Sequence, residues 1–163
     1  MRSLFLIMAT AILAGCSKPG TFTPDAAFKD SLSDFTRALL GGDARLTVDM
    51  MDPRFLPSKE AKGEAISALQ KATTTMVYRN VTFEKPFGRF TGSNSVHCFV
   101  PYVSEAQIGN RSGKVRSYLL ATHYQGSNRW FFVDVGTKSR EMLAKYYENL
   151  PPELPKATLE KGE

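Results

Sequence analysis

Cysteine, histidine and tryptophan are scarce in this chain: Cys16 and Cys98, His97 and His123, and Trp130. The two histidines fall on separate predicted strands with no carboxylate at ligand spacing, so no metal site is expected. No glycine-rich phosphate loop precedes a helix, and there is no Gly-x-Ser-x-Gly elbow, internal repeat or low-complexity block. The apolar run from Leu4 to Leu13 falls short of the roughly 20 residues that a spanning helix needs. These absences name no reaction and call for no cofactor.

What remains is the composition of an ordinary folded domain. A chain of 163 residues can bury one real core, and 42% hydrophobic with 23% charged residues is globular rather than disordered. The formal charge of +5 is spread out. Its densest knot, Arg111, Lys114 and Arg116, surrounds a predicted turn. That knot reads either as a solvated face or as a surface for an anionic partner, such as lipid headgroups or a polyanionic wall polymer. Nucleic acid is not an expected partner.

The amino terminus carries the most specific signal. Arg2 supplies a short positive region, and Leu4 to Leu13 has the length of a signal-peptide apolar segment. Leu13-Ala14-Gly15-Cys16 follows, and resembles the lipobox of bacterial lipoprotein precursors. Small residues before the cut let the backbone enter a peptidase cleft, and a thiol is nucleophilic enough to take a diacylglycerol thioether. The resemblance implies removal of residues 1–15, lipid on Cys16, and a membrane-anchored mature protein with no transmembrane segment. Ser17 in place of Asp further implies the outer membrane, facing the periplasm. With Cys16 lipidated, Cys98 has no disulfide partner. It lies in Val96-His97-Cys98-Phe99-Val100, where it reads as a small buried hydrophobe, with a catalytic thiol as the alternative. His97 points to the opposite strand face.

Residues 16–23 make a short linker, 24–150 one domain and 151–163 a proline-rich tail. Seven residues from Ser17 to Thr23 span about 25 Å at most, at ~3.3–3.6 Å each, which holds the domain close to the membrane. A first helix is predicted from Thr23 as cap, with Pro24 and Asp25 in its first turn and Phe28, Leu32, Phe35 and Leu39 as its apolar stripe. Gly41-Gly42 ends it, Asp43 caps a second helix to about Met51, and Asp52-Pro53 stops that one. A third runs from Ser58 to about Ala72, burying Ala61, Ala65, Ile66, Ala68 and Leu69. Four strands are expected at Met76–Glu84, Ser95–Ile108, Lys114–Tyr124 and Arg129–Val135, with Pro101 marking a bulge or bend. A closing helix is predicted from Thr137 to about Glu148, and the tail reads as an extended strap fading into disorder.

Helices packed on one face of a curved antiparallel sheet make an α+β fold. The residues Phe28-x3-Leu32-x2-Phe35-x3-Leu39, Gly42-Asp43, Pro53-Arg54-Phe55-Leu56 and Asn128-Arg129-Trp130-Phe131-Phe132-Val133-Asp134 look like the nuclear-transport-factor-2-like (cystatin-like cone) superfamily. The similarity covers roughly Asp25 to Gly136. Members commonly carry an early strand pair between the second and third helices, for which this chain has little room. In catalytic relatives, Asp, His and Tyr inside the cone do acid–base work.

The candidate polar residues are Asp134 and His123, with Tyr78, His97, Tyr118 or Arg116 as partners for a buried Asp134 carboxylate. A purely structural Asp134 would tie the sheet to the Lys138 or Arg140 region. The leading functional expectation is a non-enzymatic binding or interaction module with a protein or small-ligand partner in the envelope. The Arg111–Arg116 turn and the tail are its candidate partner surfaces. The alternatives are a small-molecule isomerase- or dehydratase-like enzyme using a cone pocket, and an accessory lipoprotein of a secretion or envelope-assembly complex.

Overall fold

The computed structural model describes residues 22–108, 111–136 and 138–160. Its elements are α1 (Ala26–Leu40), α2 (Ala44–Asp49), a 3-10 turn (Pro53–Phe55), α3 (Lys59–Thr75), β1 (Met76–Phe83), β2 (Phe87–Thr91), β3 (Ser95–Ile108), β4 (Arg111–Tyr124), β5 (Trp130–Asp134), α4 (Arg140–Leu143) and β6 (Thr158–Glu160). Helices come first, then a curled antiparallel sheet and a short carboxy-terminal helix, so the chain is an α+β protein. The lipobox, Cys16 and Ser17 lie outside the described residues.

Local chemistry fixes the helix ends. Asp25, not Thr23, caps α1: its Oδ1 accepts the Phe28 amide at 2.7 Å, leaving Thr23 and Pro24 ahead of the helix. Asp43 caps α2 and Ser58 caps α3 in the same way, as their spacing predicts. The chain turns between α1 and α2 at Gly42, whose φ of +67° favours glycine. The predicted stripe of α1 faces the core, with Leu32 and Leu39 half-buried against it, and the buried face extends to Ser31 and Ala38. Phe28, Ser31, Phe35 and Ala38 are buried, and Ser31 accepts the Trp130 amide at 3.0 Å. α3 buries no residue fully, and Ala68 is exposed. It lies at the periphery.

The sheet is built on one long hairpin. β3 and β4 pair in unbroken register from Ser95↔Tyr124 to Ile108↔Arg111. Two short strands line each outer side, β1 and β2 against β3, and β6 and β5 against β4. The β3–β4 ladder passes through Pro101 without the expected bulge. Pro101 falls in the gap where β1 has ended at Tyr102 and β2 begins at Phe99, so its missing N–H costs no ladder bond on that side. Register shifts occur instead in β1, between Tyr78 and Asn80, and in β2.

Two further differences concern the carboxy-terminal third. The closing helix is shorter than predicted and starts from Ser139, which caps Met142; Thr137 lies outside the described residues. The tail is docked. Leu150 is buried, Leu154 half-buried, and Thr158–Glu160 pair with Arg116–Lys114.

The core has two layers, one on each sheet face. On the first, Phe22, Phe28 and Phe35 meet Trp130 and Phe132, with the Phe28 and Trp130 centroids 5.2 Å apart, edge to face. The buried Trp130 Nε1–H has no hydrogen-bond partner among the described residues. On the second face, Phe99, Leu120, Val133 and Val135 are covered by Leu143, Tyr147 and Leu150. β5 is thus covered on both sides, as its unbroken apolar run suggests.

Candidate functional site

α1, α2 and α3 do not close fully on the sheet. Between them lies a cavity of about 180 Å³, roofed by Phe35, Leu39, Thr47 and Leu69 and floored by Val81, Phe83, Leu119 and Phe132. An apolar cavity of ~150 Å³ holds benzene, whereas drug-sized ligands take ~300–1,000 Å³. The space suits one small molecule and is too small for a steroid-sized one.

Its polar residues are neighbours. Asp134 Oδ2 accepts the Tyr102 hydroxyl at 2.5 Å, while Oδ1 accepts the Ser117 hydroxyl and the Gly136 amide, each at 3.0 Å. Burial, with the Asp134 charge beside it, pushes the Tyr102 phenol far above its ordinary range. The same two causes raise Tyr78. Both phenols therefore stay protonated and can act as donors. Both carboxylate oxygens of Asp134 are occupied by donors of the chain itself, which fixes the group in one orientation. Of the partners expected for Asp134, Tyr78 shares its cavity, whereas His97, Tyr118 and Arg116 do not. Its hydrogen-bond partners are instead Tyr102 and Ser117. Strand parity carries a signal for the first: Tyr102 continues the face of Cys98 and Val100. Asp134 is exposed at the end of β5, not buried as expected, and it does not reach toward Lys138 or Arg140; it ties β5 to β3 and β4.

The second sheet face holds a different polar cluster, centred on Asp52. The chain passes around the open edge of β5 here, with Met50 O accepting the Phe132 amide at 2.9 Å and Phe132 O accepting the Asp52 amide at 3.3 Å. Asp52 is fully buried. It accepts from Arg54 Nε at 3.1 Å and Nη2 at 2.8 Å, from the Arg54 amide at 3.0 Å, from Tyr124 at 2.7 Å and from Tyr147 at 2.9 Å. Burial opposes its charge, but the hydrogen bonds from Arg54 and Tyr124 outweigh this and hold the carboxyl below the usual range. Arg54 lies over the Tyr147 ring at 4.1 Å. His97 sits beside this cluster, fully buried, with Nε2 2.9 Å from Ser95 Oγ and Nδ1 3.1 Å from Thr122 Oγ1. Burial, and next the Arg54 cation, lower its pKa to about 4, so it is neutral and structural at neutral pH. Every acceptor site of Asp52 is met from within, which makes the cluster a clamp between the 3-10 turn, the sheet and the carboxy-terminal segment. In sequence Asp52 reads only as a helix stop, because its tyrosine partners lie far along the chain.

The remaining predicted residues are dispersed. His123 is on the helix-covered face, but at the far end of β5 from Asp134, against Trp130 with centroids 5.0 Å apart. Tyr118 is on the opposite face, edge to face with Phe87. Cys98 is buried and its thiol is pushed up to about 12 by burial, which removes it as a nucleophile. In the basic knot, Lys114 pairs with Glu105 at 3.0 Å and Arg116 pairs with Glu84, while β6 lies alongside both. Arg111 opens β4 opposite Ile108. The knot and the tail thus lie together, and are not two separate free surfaces. No group of three or more His, Cys, Asp or Glu residues able to hold a metal is found among the described residues. No helix among them is long and apolar enough to cross a membrane.

The chain matches no protein-family model and no curated protein. Fold and site define a class by geometry alone: an α+β domain with a small, mainly apolar cavity between its helices and its sheet.

Proposed function

We propose that this chain is a bacterial envelope lipoprotein, anchored through Cys16 at the outer membrane and facing the periplasm, whose domain is a non-enzymatic binding module. The lipobox-like Leu13-Ala14-Gly15-Cys16 supports the anchor. The helix-covered curled sheet supports a relationship to the nuclear-transport-factor-2-like superfamily. One observation carries the binding reading: the cavity is preformed and mostly apolar, while both oxygens of its one carboxylate already accept hydrogen bonds from Tyr102, Ser117 and Gly136. Such a cavity can retain a small molecule, and its one carboxylate is engaged in holding β5 to β3 and β4.

The test is a melting-temperature screen with compounds of about ten heavy atoms, a size set by the cavity. Hits should stabilise the native chain and lose their effect in Val81→Phe, which fills the floor. Conversion of a hit into product would favour the enzyme alternative, for which the Asp134–Tyr102 pair inside the cavity is the specific support. A screen with no stabilising compound would remove the binding module.

A further inference from the structure

The cavity combines three features that together select a ligand charge. Five of its side chains are aromatic: Phe35, Phe83, Phe132, Tyr78 and Tyr102. They come in close pairs, with Phe35 and Phe132 centroids 5.1 Å apart and Phe83 and Tyr102 centroids 5.9 Å apart. Its only ionisable acid is Asp134, and no lysine, arginine or histidine lines it. Its volume is about 180 Å³.

Aromatic faces attract cations through the ring quadrupole. Asp134, the solvent-exposed carboxylate among its lining residues, adds a negative charge of the same preference. A neutral hydrocarbon would fit the space but leave that charge unused, and an anion would be repelled by it. We infer that the cavity binds a small organic ammonium ion, of the size of a trimethylammonium group on a short polar stem. Its methyl groups lie among the rings, its charge faces Asp134, and its stem accepts a hydrogen bond from Tyr78. The ligand class rests on the binding-module reading and narrows it.

Calorimetric titration of the full chain in a maltoside detergent tests this with choline and its uncharged isostere, 3,3-dimethylbutan-1-ol. Both molecules have nearly the same shape, so the difference reports the charge alone. Choline should bind several-fold tighter, as a cation beside aromatic rings and a solvent-exposed carboxylate does. Asp134→Asn, whose folding is checked by its melting transition, should lose most of that preference. Equal binding of the two probes would overturn the ammonium assignment while leaving a binding cavity in place. Binding of neither would remove both readings. An undiminished choline preference in folded Asp134→Asn would also overturn the assignment, because the carboxylate would then contribute nothing.

Discussion

His97 has the clearest consequence at the scale of single residues. In the unfolded chain a histidine titrates near 6.5, whereas in the fold burial and the Arg54 cation lower it to about 4. Between those values the unfolded state binds more protons than the native one, so stability falls as the pH falls. The contribution is complete above about pH 6.5 and is lost by about pH 4, a change on the order of 3 kcal/mol. Asp52 acts lower: its depressed carboxyl stabilises the fold above its unfolded value of 3.8 and stops doing so under stronger acid. Urea unfolding at pH 7 and pH 4.5 should show wild type losing roughly 2–3 kcal/mol. His97→Gln, which keeps a hydrogen-bonding side chain but does not titrate, should start less stable and change much less. An equally steep loss in that variant would assign the pH dependence to other groups.

At the scale of elements, the position of β6 depends on a glycine. A Cβ built on Gly136 would stand 2.1 Å from Ser117 Oγ and 2.9 Å from the Ala157 Cβ, and the Gly136 carbonyl accepts the Ala157 amide at 3.0 Å. The tail comes alongside Gly136 where β5 has ended and β6 has not begun, and only a residue without a side chain lets it approach. Gly136→Ala should therefore cost on the order of 1–3 kcal/mol by overpacking. Amide exchange at Thr158–Glu160 should rise more than that of the β3–β4 hairpin. Uniform exchange across both would mean that β6 is not separately held. Gly88 explains in part why β2 was not legible. Its φ of +64° coincides with a register shift between Phe87 and Phe90, so the alternation that marks a strand is broken.

At the scale of the whole molecule, the proposed amino-terminal anchor and the two-faced sheet are tested separately. The helices and the cavity occupy one face, and the Asp52 clamp with the docked tail occupies the other. Lipid on Cys16 would fix the chain to a membrane. Cys16→Ala should move the protein from the membrane fraction to the soluble one, and abolish labelled-palmitate incorporation. Its melting temperature should be unchanged within about a degree, because the core is built from residues 22–150. Continued membrane association without Cys16 would point to a different anchor.

The sequence alone determined what local physical chemistry can encode. The Asp43 and Ser58 caps need only a side-chain oxygen near the next free amides, and the β3–β4 hairpin needs only alternation and a turn. The helices-then-sheet order and the double burial of β5 follow from the same periodicities. Tertiary structure decided everything that joins distant segments. It brought Tyr124 and Tyr147 to Asp52, placed Tyr102 and Ser117 on Asp134, and sent His123 to the other end of β5. It also turned a proline-rich tail into a strand of the sheet. A residue's periodicity states which face it occupies, whereas the partner it meets there depends on register and on how the chain rounds the edge of the sheet.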